Sequence, residues 1–110
     1  MLNLYTRSDS LFKINTEFRK GIMFVRINGN LNKSNINTIF CEDFKYIVFN
    51  FDNLLSIDSY SIKYIINYNN IIKNNNGKLI ICDSNNNLIN NLFNGIIPII
   101  DNEIKAFNIL

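Results

Sequence analysis

The residue types that carry most protein chemistry are thinly represented in this sequence. It contains no histidine, which removes the commonest general base, the commonest zinc ligand and any Ser-His or Cys-His nucleophile pair. Two cysteines, Cys41 and Cys82, lack metal-ligand spacing and read as buried thiols of a reducing compartment, ahead of a disulfide. The only adjacent acidic residues, Glu42 and Asp43, fit a solvated turn. No Gly-rich phosphate loop, paired-carboxylate site or metal cluster is present. An enzyme is therefore not expected, and no cofactor is implied.

One short stretch stands out, Asp58-Ser59-Tyr60-Ser61. Asp58-Ser59 opens the clearest helical pattern in the chain. The free N–H groups and positive dipole end of a helix start would stabilise a phosphate on Ser59. Nearly two added negative charges would then repel an acidic or apolar docking surface. A plain N-cap accounts for Asp58 or Ser59 as well, with a worth of about 1 kcal/mol. Tyr60 is an interface anchor or a lid on the core, and Ser61 flanks the same helix start. Asn30 and Asn32 follow a strand whose end should lie beside the Asp58 loop, and Asp83-Ser84 occupies a neighbouring loop. Plain surface polarity is the competing explanation for the asparagines, because the chain has 23 of them.

These residues need a scaffold, and the composition supplies one. With 110 residues, 47% hydrophobic and 13% aromatic, the chain fits one compact domain over 1–110, with 1–10 a loose or edge segment. Only 18% of residues are charged, which argues against disorder. The net charge of +2 is too small to steer the chain to nucleic acid or an anionic membrane. No apolar run approaches the roughly 18 residues of a membrane helix, and Met1 to Ser10 lacks a secretion-signal pattern. The expectation is a soluble, cytoplasmic protein. A single alanine beside 21 isoleucines and the asparagine excess suggests an A/T-rich coding bias.

Leu11 to Phe18 and Ile22 to Ile27 alternate around an Arg19-Lys20-Gly21 turn and predict a β-hairpin, its return strand ended by Gly29. Asn30 to Phe40 carries apolar spacing for one short helix. Tyr46 to Phe51 is a near-continuous apolar run, the mark of a strand buried on both faces, ended by Asp52 and Asn53. A helix follows from Asp58 to about Lys73, then a strand at Leu79 to Cys82 and a short helix from Asn85 to Phe93. Pro98 to Ile100 predicts an edge strand, and Asn102 to Leu110 a closing helix. This order predicts an α/β fold, a mixed sheet with an N-terminal antiparallel hairpin, then parallel βα units, packed with about four helices.

The stretch from Tyr46 through Ala106 resembles the STAS domain, in particular the bacterial anti-sigma factor antagonists. The likeness rests on Ile47-Val48-Phe49-Asn50-Phe51 leading into Asp58-Ser59-Tyr60-Ser61-Ile62, where the family has Asp-Ser-Ser-Gly-Leu. Asn76-Gly77, Lys78 to Cys82 and Glu103-Ile104-Lys105-Ala106 follow in the family's order. Upstream, Gly29-Asn30-Leu31-Asn32 is similar to the family's Gly-Glu-Leu-Asp, its acidic residues replaced by Asn30 and Asn32. The resemblance implies a regulator of transcription that binds an anti-sigma factor serine kinase and so frees a sigma factor. It implies phosphorylation of Ser59 as the off-switch, reset by a phosphatase. The implied partner surface comprises Asn30, Asn32, Asp58, Ser59, Tyr60, Ser61, Asp83 and Ser84. Family members that act as unphosphorylated scaffolds or transporter-associated subunits provide the alternative, because Tyr60 and Ser61 depart from the signature.

Overall fold

The computed structural model describes residues 12–40, 43–84, 91–93 and 95–110. The expected helix from Asn85 to Phe93 falls almost wholly outside these residues, as do segment 1–10, Cys41 and Glu42.

Five strands form one sheet in sequential order: β1 (Lys13–Arg19), β2 (Ile22–Leu31), β3 (Tyr46–Ile57), β4 (Lys78–Cys82) and β5 (Ile99–Ile100). β1 and β2 are antiparallel, and every later pairing is parallel. The predicted hairpin closes through Lys20 and Gly21, both at positive φ (52° and 83°). That is the requirement of the tight two-residue turn whose twist matches the flanking strands.

The apolar runs in β2, β3 and β4 serve both faces. Met23, Val25 and Ile27 with Ile47, Phe49, Leu79 and Ile81 build one core against a long helix, α1 (Ser59–Asn74). Ile22, Phe24, Val48, Ile80 and Cys82 build a smaller one against the C-terminal segment, where Ala106 is buried and Phe107 packs alongside. Sequential strand order with right-handed crossovers sends all the connections to one face of a sheet, which accounts for the inequality of the two cores. Phe24 and Phe49 are fully buried, each contributing about 1.5–3 kcal/mol over an exposed ring.

α1 buries Ile65, Tyr68 and Ile72 at helical spacing. It ends in a Schellman-type cap: Gly77 N–H donates to Ile72 O at 2.9 Å and Asn76 N–H to Lys73 O at 3.0 Å. Asn76 takes the left-handed conformation there, φ 65°, a place more often held by glycine.

Four expectations are corrected. The strand predicted over Tyr46–Phe51 runs on to Ile57, because β2 also continues past Gly29 and pairs with it, Asn28 to Asn53 and Leu31 to Ile57. Gly29 passes through a register shift with φ 99° instead of ending the strand. The helix expected over Asn30–Phe40 is only a 3₁₀ turn, Ile36–Ile39, its Ile36 and Ile39 buried. The C-terminal helix is a 3₁₀ turn, Glu103–Lys105, passing into one α turn, α2 (Ala106–Ile109). Among the described residues there are thus two α-helices, only α1 of them long, and the expected count of about four is not confirmed.

Candidate functional site at the start of the long helix

β2 and β3 continue as a two-stranded ribbon beyond the end of β4, whose pairing stops at Asn50–Cys82. The ribbon delivers the chain to Asp58, the N-cap of α1. An aspartate suits this place because its carboxylate accepts an otherwise orphaned N–H of the first turn. Asp58 Oδ1 accepts from Ser61 N–H at 2.8 Å, while Oδ2 accepts from Lys33 N–H at 3.0 Å. The Asp58 N–H donates to Leu31 O at 3.1 Å. One residue therefore binds the helix start to the end of β2 and the turn after it. The nearby Ser61 hydroxyl, although out of line for a hydrogen bond, favours the ionised Asp58 carboxyl; burial opposes it, the Ser61 and Lys33 N–H groups add to it, and the carboxyl lies below the usual carboxylate range.

The asparagines after β2 build the adjoining surface. Asn30 Oδ1 accepts from the Ser56 hydroxyl at 2.6 Å across the ribbon. Asn32 Oδ1 takes the Ser34 N–H at 3.0 Å and its hydroxyl at 2.6 Å. This side-chain turn is the reason asparagine recurs in such loops. Asn35 closes the turn from the other side, accepting from Asn32 N–H at 2.9 Å and donating to Asn30 O at 2.8 Å.

Ser59 is exposed at the first position of α1, and its hydroxyl makes no hydrogen bond within the described residues. Tyr60 is 44% exposed beside it, its ring 5.3 Å from the Lys33 ammonium, a cation–π distance. Asn30, Asn32, Asp58, Ser59 and Tyr60 thus share one surface.

Ser61, Asp83 and Ser84 do not join them. Ser61 is completely buried, and its hydroxyl meets no partner with hydrogen-bond geometry, so it presents nothing to a visiting molecule. Asp83 is 4% exposed. Ser84 is tied by its N–H to Asp52 Oδ1 at 2.6 Å. Asp52 precedes Asp58 by six residues of near-extended chain, so Ser84 lies about 20 Å away along the ribbon. Sequence reasoning passed over two contributors. Lys33 acts partly through its backbone N–H, which no side-chain pattern reports. Leu55, 64% exposed on the ribbon, was legible only as an apolar residue in a connection.

No protein-family model matches the sequence, and no curated protein matches it. Solved structures do. The unphosphorylated form of the anti-sigma factor antagonist SpoIIAA aligns with a TM-score of 0.70 at 15% identity, covering 88% of this chain and 94% of that one. An anti-sigma factor antagonist from Mycobacterium paratuberculosis aligns at 0.67 and 11% identity, covering 89% and 92%. A Thermotoga maritima protein provisionally assigned to the same class aligns at 0.70 and 19% identity, covering 86% and 92%. The chain has the fold of the anti-sigma factor antagonists. The STAS resemblance and the mixed sheet expected from the sequence agree with this likeness. The Asp58–Ser59 helix start sits within that fold at the mouth of its long helix.

Among the described residues no group of three metal-ligating side chains gathers, and no helix is long and apolar enough to cross a membrane.

Proposed function

We propose that this chain is an anti-sigma factor antagonist: unmodified, it binds an anti-sigma factor serine kinase and releases a sigma factor. Phosphorylation of Ser59 ends that binding, and a phosphatase restores it. The exposed, unbonded hydroxyl of Ser59 at the first position of a helix capped by Asp58 carries this reading. A kinase can reach that oxygen without displacing packed side chains. The surface of Asn30, Asn32, Asp58 and Tyr60 around it is where the partner docks, with Tyr60 as the aromatic anchor. Ser61 lies beneath the surface, whereas Asp83 and Ser84 stand at the far end of the ribbon. A phosphate on Ser59 would stand beside the ionised Asp58, and the concentrated negative charge would oppose an acidic partner. The protein regulates by binding and catalyses nothing itself, and it works in the cytoplasm of a bacterium.

Incubation with the cognate kinase and magnesium-ATP, followed by peptide mass spectrometry, tests the switch. Phosphate should appear on Ser59 and vanish in Ser59→Ala. Ser59→Glu should weaken kinase binding by about tenfold or more, as like-charge juxtaposition does at interfaces. A protein that binds the kinase tightly yet is never modified at Ser59 would sink the switch and leave a scaffold.

A further inference from the structure

β1 (Lys13–Arg19) is an edge of the sheet, and among the described residues no strand lies outside it. The two-residue turn Lys20-Gly21 decides which of its backbone groups are already bonded. Such a turn is flanked by a hydrogen-bonded pair, here Arg19 and Ile22, and bonded and non-bonded pairs alternate along an antiparallel ladder. Arg19, Glu17, Asn15 and Lys13 therefore turn their N–H and C=O groups to β2. Phe18, Thr16 and Ile14 turn theirs outward. An edge with outward donors and acceptors is a template for another strand unless its side chains forbid the match.

The side chains of β1 alternate between the two faces of the sheet. Phe12, Ile14, Thr16 and Phe18 lie on the face that carries α1. Phe12 and Ile14 pack against the larger core, while Phe18 is 56% exposed with its ring 5.1 Å from Phe44. Lys13, Asn15 and Glu17 lie on the other face.

We propose that β1 pairs antiparallel with β1 of a second copy of this chain, about a two-fold axis through Asn15. Ile14 then exchanges backbone hydrogen bonds with Thr16 of the second copy, as the outward direction of both residues requires. Phe12 stands opposite Phe18 twice on one face. On the other face Lys13 stands opposite Glu17 twice. These are non-bonded pairs, whose Cα atoms approach to about 4.5 Å and whose side chains come closest. Aromatic pairs and opposite charges directly across a ladder both favour it. Glu17 already accepts from Arg26 at 2.9 Å and lies 3.5 Å from Arg19 Nε, but a carboxylate has about four acceptor sites and can take Lys13 as well.

Moving the axis by one residue spoils the match. Through Thr16, Lys13 would face Arg19 twice. Through Glu17, the two glutamates would face each other. Through Ile14, Lys13 would face Asn15 and Glu17 would lose its cation. The order of charges on β1 thus suits its own copy in one register, and self-complementarity is what a two-fold interface demands. One pairing of seven residues is a small interface, at the weak end of specific ones, so the expected dissociation constant is about 10–100 µM. The proposed function makes no use of this edge, and either can fail without the other.

Sedimentation velocity of the full chain from about 10 µM to about 1 mM tests the pairing, and should show monomer passing into dimer. Lys13→Glu, at an exposed side chain, should weaken dimerisation by about tenfold or more, because two like-charge pairs replace two opposite ones. Lys13→Glu and Glu17→Lys chains, each monomeric alone, should form a mixed dimer when combined, since both cross-strand pairs are then opposite in sign. Thr16→Pro removes an outward N–H and no bond of the hairpin, and should leave a folded monomer. Asn15→Cys, on the axis, should oxidise to a dimer linked at that position, located by peptide mass spectrometry. Lys13→Cys, about 14 Å from its own counterpart, should not. Hydrogen exchange at the Thr16 amide should slow as the chain is concentrated. A monomer at about 1 mM, or a dimer indifferent to Lys13→Glu and Thr16→Pro, would overturn the proposal. So would a Thr16 amide already fully protected at about 10 µM, because the chain would then cover its own edge.

Discussion

Lys33 and Asp58, separated by 25 residues in sequence, are joined by a 3.0 Å hydrogen bond from the Lys33 backbone N–H to Asp58 Oδ2. The other carboxylate oxygen caps α1 through Ser61 N–H. Removing the carboxylate leaves two backbone N–H groups to find water instead. Asp58→Ala should therefore cost about 1–2 kcal/mol, the upper half of the usual cap range. Asp58→Asn keeps one acceptor oxygen for the Ser61 N–H but turns an amide NH2 toward the Lys33 N–H, so it should cost about half as much as the alanine. Urea denaturation of the two variants measures the difference; equal losses would mean that the carboxylate charge, not the cap geometry, holds the helix start.

On the opposite face of the sheet, Glu103 binds the C-terminal segment to Arg26. Arg26 donates to both Glu103 oxygens, at 2.9 and 2.7 Å, and to Glu17 at 2.9 Å, while Asn50 donates to Glu103 at 2.7 Å. The Arg26 hydrogen bond, opposed by burial and aided by Asn50, holds the Glu103 carboxyl below its ordinary value. A carboxyl depressed in the folded state adds stability that is complete above its unfolded pKa, about 4.3, and is lost as pH falls through the lower folded value. Asp58 acts in the same direction. Glu103→Gln should lower stability at pH 7 by about 1–2 kcal/mol, a charge-assisted bond discounted for partial exposure. It should also flatten the fall in melting temperature below pH 4. An acid limb identical to that of the parent chain would rule out Glu103 as a contributor.

Gly77 follows the left-handed Asn76 and is needed for a different reason from its neighbour. A Cβ at Gly77 would strike the Lys45 carbonyl oxygen and stand 2.9 Å from Ile72 Cγ2. The backbone oxygen cannot step aside, because it accepts the Lys78 N–H at 2.9 Å where β4 begins. Gly77→Ala should destabilise by about 1–3 kcal/mol, as overpacking does. Asn76→Gly should be neutral or mildly stabilising, since glycine adopts the same positive φ without penalty. If both variants melt together with the parent chain, the close approach at Gly77 is not a constraint on folding.

The parts of this architecture that local physics governs could be read from the sequence. Asp58 announced a cap, the apolar runs at Ile47–Phe51 and Leu79–Cys82 announced strands covered twice, and Lys20-Gly21 announced a hairpin turn. What escaped depended on partners remote in sequence. Asp52 and Asn53 read as strand breakers, yet β3 continues through them because β2 offers a paired edge as far as Leu31. Ile36 and Ile39 fit an α-helix or a 3₁₀ turn equally in spacing, and the short link to β3 leaves room for the turn only. The exposure of Ser59 followed from its place before the first buried position, whereas the burial of Ser61 two residues on depends on how α1 lies against the sheet. The packing of Phe40 on Tyr64 and Tyr68 likewise escaped, because Phe40 is placed by a separate connection.

Cys82 closes β4 with no exposed surface and is a free thiol. Burial, with Asp52 the foremost of the nearby carboxylates adding to it, pushes its pKa up to about 12. Thiolate is the reactive species, and at pH 8 its population in the folded protein is smaller than in an unfolded chain by about a thousandfold. Alkylation should therefore proceed only through opening of the sheet at β4. With iodoacetamide at pH 8, peptide mass spectrometry should find Cys82 labelled at least about a hundredfold more slowly in buffer than in denaturing urea. Destabilising variants such as Gly77→Ala, at the other end of β4, should accelerate the native reaction in proportion to their loss of stability. Labelling that is fast in buffer and indifferent to such variants would show that the end of β4 is open to solvent, and the smaller core could not then be sealed by Ala106 and Phe107.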